Sequence, residues 1–348
     1  MQFLIAKNFR FHTRTSALAG VFVLSLLFIG VLSSRNVLAL TVNPRLEFNA
    51  DPGTIVHTQM RITNDERQSR TVFLAFENFN SQDETGTPTF STRKEDLAIW
   101  IKALPSITLG PGETIDLPVD IEVPKEAEPG GHFAAVFFLS EPPPVGDAGK
   151  VGIESKLGTL ILLRVNGDFL QDATILEFNT IGKNRFFAQL PIQFFYRFQN
   201  IGDDHQKPLG DIQIRNIFGQ PVKFLVANTV DGSVLPKSIR KFTSIWTELG
   251  GDLKQEPVIE LKEQTKLTFW QAAREQWHHF AFGRYTAQLK LVYGTKELKS
   301  ARSEFVFYII PWQLLSLVVP GGIVMLILGW FGIKRYNRFI VKRAQSRS

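Results

Sequence analysis

Apolar and polar residues alternate with period two along much of this chain, the pattern of strands buried on one face. Residues 114–123, TIDLPVDIEV, set Ile115, Leu117, Val119, Ile121 and Val123 on one side and Asp116, Asp120 and Glu122 on the other. Pro118, on the outer side, predicts an edge position, because proline donates no ladder hydrogen bond. Residues 56–62 repeat the alternation, with Val56, Thr58, Met60 and Ile62 opposed to His57, Gln59 and Arg61. In 190–198, LPIQFFYRF, the inward set is Leu190, Ile192, Phe194, Tyr196 and Phe198. In 285–293, YTAQLKLVY, it is Tyr285, Ala287, Leu289, Leu291 and Tyr293. Residues 157–166, LGTLILLRVN, form a nearly continuous apolar run and predict a strand buried on both faces.

Turn residues punctuate these runs: Asp51-Pro52-Gly53, Asn64-Asp65, Gly110-Pro111-Gly112, Pro129-Gly130-Gly131, Gly182-Lys183-Asn184, Asn200-Ile201-Gly202 and Asp231-Gly232. Short strands at this spacing predict an all-β fold of two immunoglobulin-like β-sandwich domains in tandem. Residues 95–101 predict one or two helical turns, with Trp100 plugging one end of the first sandwich. The triple proline 142–144 cannot enter a ladder interior and reads as a stiff loop inside that domain. The boundary falls near Gly167-Asp168, giving domains of 40–168 and 169–310.

Two segments break the period. Residues 312–333, from Trp312 to Ile333, are 22 positions without a charge, and crossing a bilayer as one helix takes roughly 20 apolar residues. Lys334, Arg335, Arg338, Lys342, Arg343 and Arg347 follow with no acidic residue among them, a flank that stays cytoplasmic. At the other end, Lys7, Arg10 and Arg14 precede the apolar stretch 16–32, and Val37-Leu38-Ala39 offers a cleavage site between Ala39 and Leu40. This is the pattern of a signal peptide over 1–39, with an uncleaved anchor as the alternative. The expected topology is a single-pass plasma-membrane protein: amino terminus outside, helix at 311–333, cytoplasmic tail 334–348. Residues 304–310 read as the last strand, so the second sandwich should stand directly on the bilayer.

The net charge of +6 could indicate a nucleic-acid partner, but its distribution removes that reading. Residues 1–39 carry four basic residues and 334–348 carry six, which leaves 29 basic against 33 acidic residues, or −4, for the exported part. With no cysteine, the chain draws nothing from disulfides and must rely on buried area, for which its 30 phenylalanines are material. Thiol catalysis and cysteine-bound metals are excluded.

The remaining residues give little sign of catalysis. His57 lies on a polar strand face and His132 follows Pro-Gly-Gly at a strand start. Asp203-Asp204-His205 has metal-ligating residue types, yet the same residues make a solvated hairpin tip. Adjacent His278 and His279 point apart on a helix or strand. No nucleophile motif, zinc motif or phosphate loop is present, so no catalytic residue, cofactor or metal is assigned. Binding features are clearer. Residues 269–282, FWQAAREQWHHFAF, place Trp270, Ala273, Trp277 and Phe280 near helical spacing and predict a short amphipathic helix. Trp270, Trp277 and Phe280 are candidate ligand contacts, as a platform for glycan or peptide or as a collar on the membrane; a helix capping the sandwich end needs the same residues. The polar loop 80–94 is a second candidate contact region.

The order of motifs in the first domain carries a resemblance. It runs Asn43-Pro44, Asp51-Pro52-Gly53, Ile62-Thr63-Asn64, Trp100-Ile101, Gly110-Pro111-Gly112-Glu113 and Val123-Pro124. Pro129-Gly130-Gly131-His132-Phe133-Ala134-Ala135-Val136 and Leu157-Gly158-Thr159-Leu160 complete it. This resembles the peptidoglycan-binding domain of bacterial WxL-interacting proteins over residues 40–168, with a looser match in the second domain. The resemblance implies a membrane-anchored cell-surface scaffold that engages cell-wall polymer (peptidoglycan) and surface proteins carrying Trp-x-Leu motifs. The competing expectation is an envelope assembly chaperone or accessory subunit of a membrane complex.

Overall fold

A computed structural model describes residues 40–91, 93, 95–143, 157–247 and 267–345. The signal-peptide reading with its cleavage site after Ala39, positions 144–149 of the proline loop, and Arg347 lie outside the described residues. What is described is mostly β, with one apolar helix at its carboxy-terminal end.

Ten strands come first: β1 (Leu40–Val42), β2 (Arg45–Ala50), β3 (Ile55–Asn64), β4 (Arg70–Ser81), β5 (Pro88–Ser91), β6 (Ile101–Ala103), β7 (Ser106–Leu109), β8 (Thr114–Glu122), β9 (Gly130–Leu139) and β10 (Leu157–Val165). A single-turn helix, α1 (Leu97–Trp100), lies between β5 and β6. One sheet runs β1-β3-β8-β6 and the other β2-β10-β9-β4-β5, with β7 also on β4. Each sheet has an apolar side that must be covered, and the two cover each other. Met60, Ile62, Leu117, Val119 and Ile121 meet Val72, Val136, Ile161 and Leu163 in one core. The other face of β9 and β10 is apolar too: Phe133, Ala135, Phe137 and Leu162 pack with Phe79 and are covered in part by Phe90 and by Leu235. That second cover is why 157–166 reads as a continuous apolar run.

Pro118 marks a local edge rather than an edge strand. β8 lies between β3 and β6, but β6 pairs only with Val119 to Ile121. Pro118 therefore sits one residue past the end of that ladder, where no strand needs its N–H on that side.

The second group comprises β11 (Ala173–Thr180), β12 (Phe186–Phe187), β13 (Ile192–Asn200), β14 (Leu209–Arg215), β15 (Pro221–Val226), β16 (Ile239–Trp246), β17 (Gly283–Tyr293) and β18 (Lys299–Ile309). Helix α2 (Phe269–His278) precedes β17, and α3 (Trp312–Gln345) follows β18. The sheets β11-β13-β16 and β12-β18-β17-β14-β15 enclose a core dense in aromatic rings. Every inward residue expected on β13 and β17 is buried in it, from Ile192 and Phe194 to Leu289 and Tyr293. Phe194 meets Phe307 edge-on at 5.6 Å, and Trp246 meets Tyr285 edge-on at 5.4 Å, geometries that add attraction beyond area burial.

Only Ile310 and Pro311 separate β18 from α3, and the chain is bonded across the turn: Trp312 N donates to the Ile310 carbonyl at 2.8 Å and Leu315 N to that of Pro311 at 2.9 Å. The segment 312–338 is long and apolar enough to cross a membrane. The helix does not stop at Ile333; it continues through Lys334, Arg335 and Arg338 to Gln345, so the basic tail over these residues is helical.

Candidate functional site

At one end of the first sandwich a concavity of about 420 Å³ is lined by Asp96, Trp100, Pro124, Glu126, Ala127, Glu128, Gly131 and His132. Helix α1 positions its indole: Leu97 and Ala98 anchor the turn in the core, and Trp100 is buried with them as the expected end plug while lining the concavity. Asp96 precedes α1 with φ 49° and ψ −134°, a strained backbone for a residue other than glycine. Its carbonyl accepts from Ile99 N at 3.1 Å, but its side chain caps no helix N–H; the carboxylate instead reaches His132 Nδ1 at 2.6 Å. His132 Nε2 lies 2.8 Å from the Glu128 carbonyl oxygen. Both ring nitrogens thus face acceptors, an arrangement met fully only when both carry protons. Burial alone would lower the imidazole pKa, but the Asp96 hydrogen bond and the Glu128 carbonyl outweigh it and raise it above the ordinary histidine value. The Trp100 ring centroid is 4.6 Å from that of His132, in reach of a cation–π contact. With both nitrogens engaged, His132 is a poor general base. The rim is acidic through Glu126 and Glu128, so the site suits an amine-bearing or multiply hydroxylated group beside the indole.

The Asp203-Asp204-His205 segment is not a solvated hairpin tip. Asp204 is fully buried and joins Arg164 of β10, whose Nε donates to Asp204 Oδ2. Asp204 Oδ1 and His205 Nδ1 are 2.8 Å apart but poorly aligned for a hydrogen bond. Asp203 contributes through its carbonyl, which accepts from Gly131 N at 3.0 Å. The glycines of Pro-Gly-Gly permit this approach: a Cβ on Gly130, whose φ is +128°, would come within 2.7 Å of the Asp203 oxygen. The triplet is therefore part of the contact between the two sandwiches, one residue from His132 along β9. Among the described residues no group of three or more His, Asp and Glu side chains could hold a metal.

The polar stretch expected as a loop over 80–94 is largely the β4–β5 hairpin, and its turn, 82–87, joins the same contact. Glu84 takes a two-pronged hydrogen bond from Arg197, with Arg197 Nε at 2.8 Å, and its carbonyl accepts from Lys241 N at 2.7 Å. Arg45 of β2 donates to Asp231 at 3.1 Å. Between these contacts runs a small crevice of about 70 Å³, lined by Arg45, Phe79, Leu160, Leu162, Leu235 and Arg240 among others.

The candidate aromatics Trp270, Trp277 and Phe280 are 70%, 67% and 50% exposed, so they do not plug the sandwich end. Helix α2 instead buries Ala272, Ala273 and Gln276 and fastens to α3: Gln276 Oε1 accepts from Leu314 N at 2.9 Å, and Phe269 meets Trp312 edge-on at 6.0 Å. Leu40 opens β1, half-buried; Trp312 and Ile333 are exposed, as are Lys334, Arg335 and Arg338. Lys342 and Arg343 fall in the last turns of α3. His57 is exposed and pairs with Asp120 at 2.7 Å, as a surface histidine does.

No family model matches the sequence, and no curated protein matches it. Among solved structures, the class 5 fimbriae chaperone CfaA aligns with 78% of this chain and 100% of its own, at 9% identity and a TM-score of 0.34. The Escherichia coli chaperone DraB aligns over 77% and 99%, at 12% identity and a TM-score of 0.33. The Pseudomonas aeruginosa CupB2 chaperone aligns over 77% and 100%, at 9% identity and a TM-score of 0.30. Similarity at this level assigns no function to the chain.

Proposed function

We propose that the chain is a non-enzymatic, membrane-anchored surface protein: two immunoglobulin-like sandwiches carried by α3, the first binding a ligand in the Asp96–Trp100–His132 concavity. The observation that supports this is the strained Asp96 backbone, which turns its carboxylate away from the helix to hold His132 against Trp100 beneath an acidic rim. Such strain persists where the surroundings enforce it, and it concentrates at ligand sites. The motif order in residues 40–168 makes peptidoglycan and Trp-x-Leu surface proteins the first ligands to test, with the basic end of α3 on the cytoplasmic side. Detergent-solubilised full chain should pellet with purified cell wall, alone or with a Trp-x-Leu protein. Replacing Glu126 and Glu128 together by Gln should weaken pelleting without changing thermal stability. Wild-type protein that stays in the supernatant in both mixtures would refute the proposal.

A second reading, an envelope assembly chaperone or accessory subunit, is favoured by β2. Among the described residues it is the terminal strand of its sheet, and its Arg45 lines the interdomain crevice, so an extended client segment could add to its edge. Under that reading, affinity capture of envelope proteins returns unassembled subunits only, and capture of mature wall-bound partners counts against it.

A further inference from the structure

We infer that α2 is an interfacial helix that lies on the outer lipid surface and holds the second sandwich in a fixed attitude to the bilayer. This rests on the reading of α3 as a membrane span. Helical spacing puts Trp270, Arg274 and Trp277 on one face of α2, at i, i+4 and i+7. The opposite side carries Ala272 and Gln276, which are buried, as is Ala273 on the flank beside Trp277. The exposed face thus pairs two indoles with a guanidinium, and His278 follows one turn beyond Arg274. Large aromatic rings with cations on one helix face are the composition of helices that lie in the headgroup layer, where indole is favoured and Arg meets anionic lipid. Glu275 is directed elsewhere, 3.8 Å from His279.

Position selects the lipid surface over a glycan or peptide as occupant. Gln276 is bonded to both Gln313 and Leu314, and Phe269 touches Trp312, so α2 is tied to the first turn of α3, where the chain would enter lipid. Phe280 and Phe282, 50% and 55% exposed, continue the apolar surface toward β17. With α2 and α3 each bonded to the other, and α3 joined to β18 across two residues, neither helix can tilt alone. Contact at two points, a span and a surface helix, fixes the orientation that a single span leaves free.

The chain has no cysteine, so single labels can be placed without background. Full-length Trp270→Cys, Trp277→Cys, Leu298→Cys and Leu326→Cys proteins would carry an environment-sensitive fluorophore in vesicles of phosphatidylcholine and phosphatidylglycerol. Leu298 is 78% exposed in the turn at the far end of the β17–β18 hairpin, roughly 33 Å away by strand rise. Leu326 lies mid-span and reports on α3 itself. The expected result is a blue shift at 270 and 277, quenching there by lipids spin-labelled near the glycerol, and loss of quenching by aqueous iodide, with Leu298 remaining iodide-accessible. Labels at 270 and 277 that stay iodide-accessible while 326 is in lipid would overturn the inference alone. Protection from iodide without lipid quenching means protein covers the face, and also overturns it. A label at 326 outside the hydrocarbon would remove the span and this inference together.

Discussion

Replacing Asp204 by Asn tests whether the two sandwiches are locked by charge. Asp204 is fully buried and its partner Arg164 is 12% exposed. Removing one member of a buried pair costs about 3–5 kcal/mol, because the other charge is left without compensation. Arg164 keeps one hydrogen bond, to Asn49 Oδ1 at 3.2 Å, and keeps slight access to water, so the lower end of that range applies. If the loss falls on the contact between the sandwiches, about 3 kcal/mol is roughly a 150-fold change in its opening equilibrium, at 1.36 kcal/mol per decade. The amides that report it are Gly131 N, bonded to the Asp203 carbonyl, and Lys241 N, bonded to that of Glu84. Hydrogen exchange on the solubilised full chain should accelerate at both by about that factor, while core amides of β13 and β17 keep their protection. The carboxyl pKa gives a second readout. Burial would raise it, but His205 and Arg164 lower it overall. The stabilisation is then present above the unfolded aspartate range and is lost as pH falls through the folded value, below about 3.9. Exchange at Gly131 and Lys241 within about threefold of wild type would refute the argument, since no loss near 3 kcal/mol could hide in so small a change.

The raised His132 pKa means that its contribution is full below the unfolded histidine value, about 6.5, and is lost as pH rises through the folded value. Proton NMR of its ring should give a midpoint above 6.5, the model-peptide value, and Asp96→Asn should bring that midpoint down. Glu84→Gln should cost little, about 1 kcal/mol or less by urea unfolding, because Glu84 and Arg197 are 38% and 31% exposed. Phe194→Ala removes a fully buried ring from the second core and should cost about 3–5 kcal/mol in the same assay.

The strands were legible because their signal is local. β8, β13 and β17 each show their buried face as alternate residues, and that face is set by period two whatever the partner. Trp100 was legible for the same reason, as a large ring in a short helical turn. The Asp203-Asp204-His205 segment was not, because a turn at the surface and a turn pressed against another domain use the same residues. What separates them is Arg164, 40 positions earlier. A hint stood in the run LGTLILLRV, where a charge within a strand buried on both faces requires a buried counter-charge. The polar loop 80–94 misled in the same way: Glu84 and Gly86 face Arg197 and Arg240 of the second sandwich. Helix α2 was legible by its spacing, but which face it exposes depends on α3, which binds Gln276.

These misread residues share one consequence. Strand β9 begins with Gly130 and Gly131 against Asp203, places His132 in the concavity, and follows it with Phe133, which meets His205 edge-on at 5.9 Å. The concavity and the interdomain contact are thus built on four consecutive residues, which cannot shift as a rigid strand end without disturbing both. Loosening the Asp204 contact should therefore also relax the geometry that holds His132 between Asp96 and Glu128. The link runs in the other direction by thermodynamic reciprocity: if closing the contact raises the affinity of the concavity for a ligand by some factor, the bound ligand favours the closed contact by that same factor. Full-chain protein with a bound ligand should then show slower exchange at Lys241 N, which lies on the contact and outside the concavity. Unchanged exchange there at saturating ligand would mean that the strand end yields between the two sites, and that the first sandwich binds without reporting to the second.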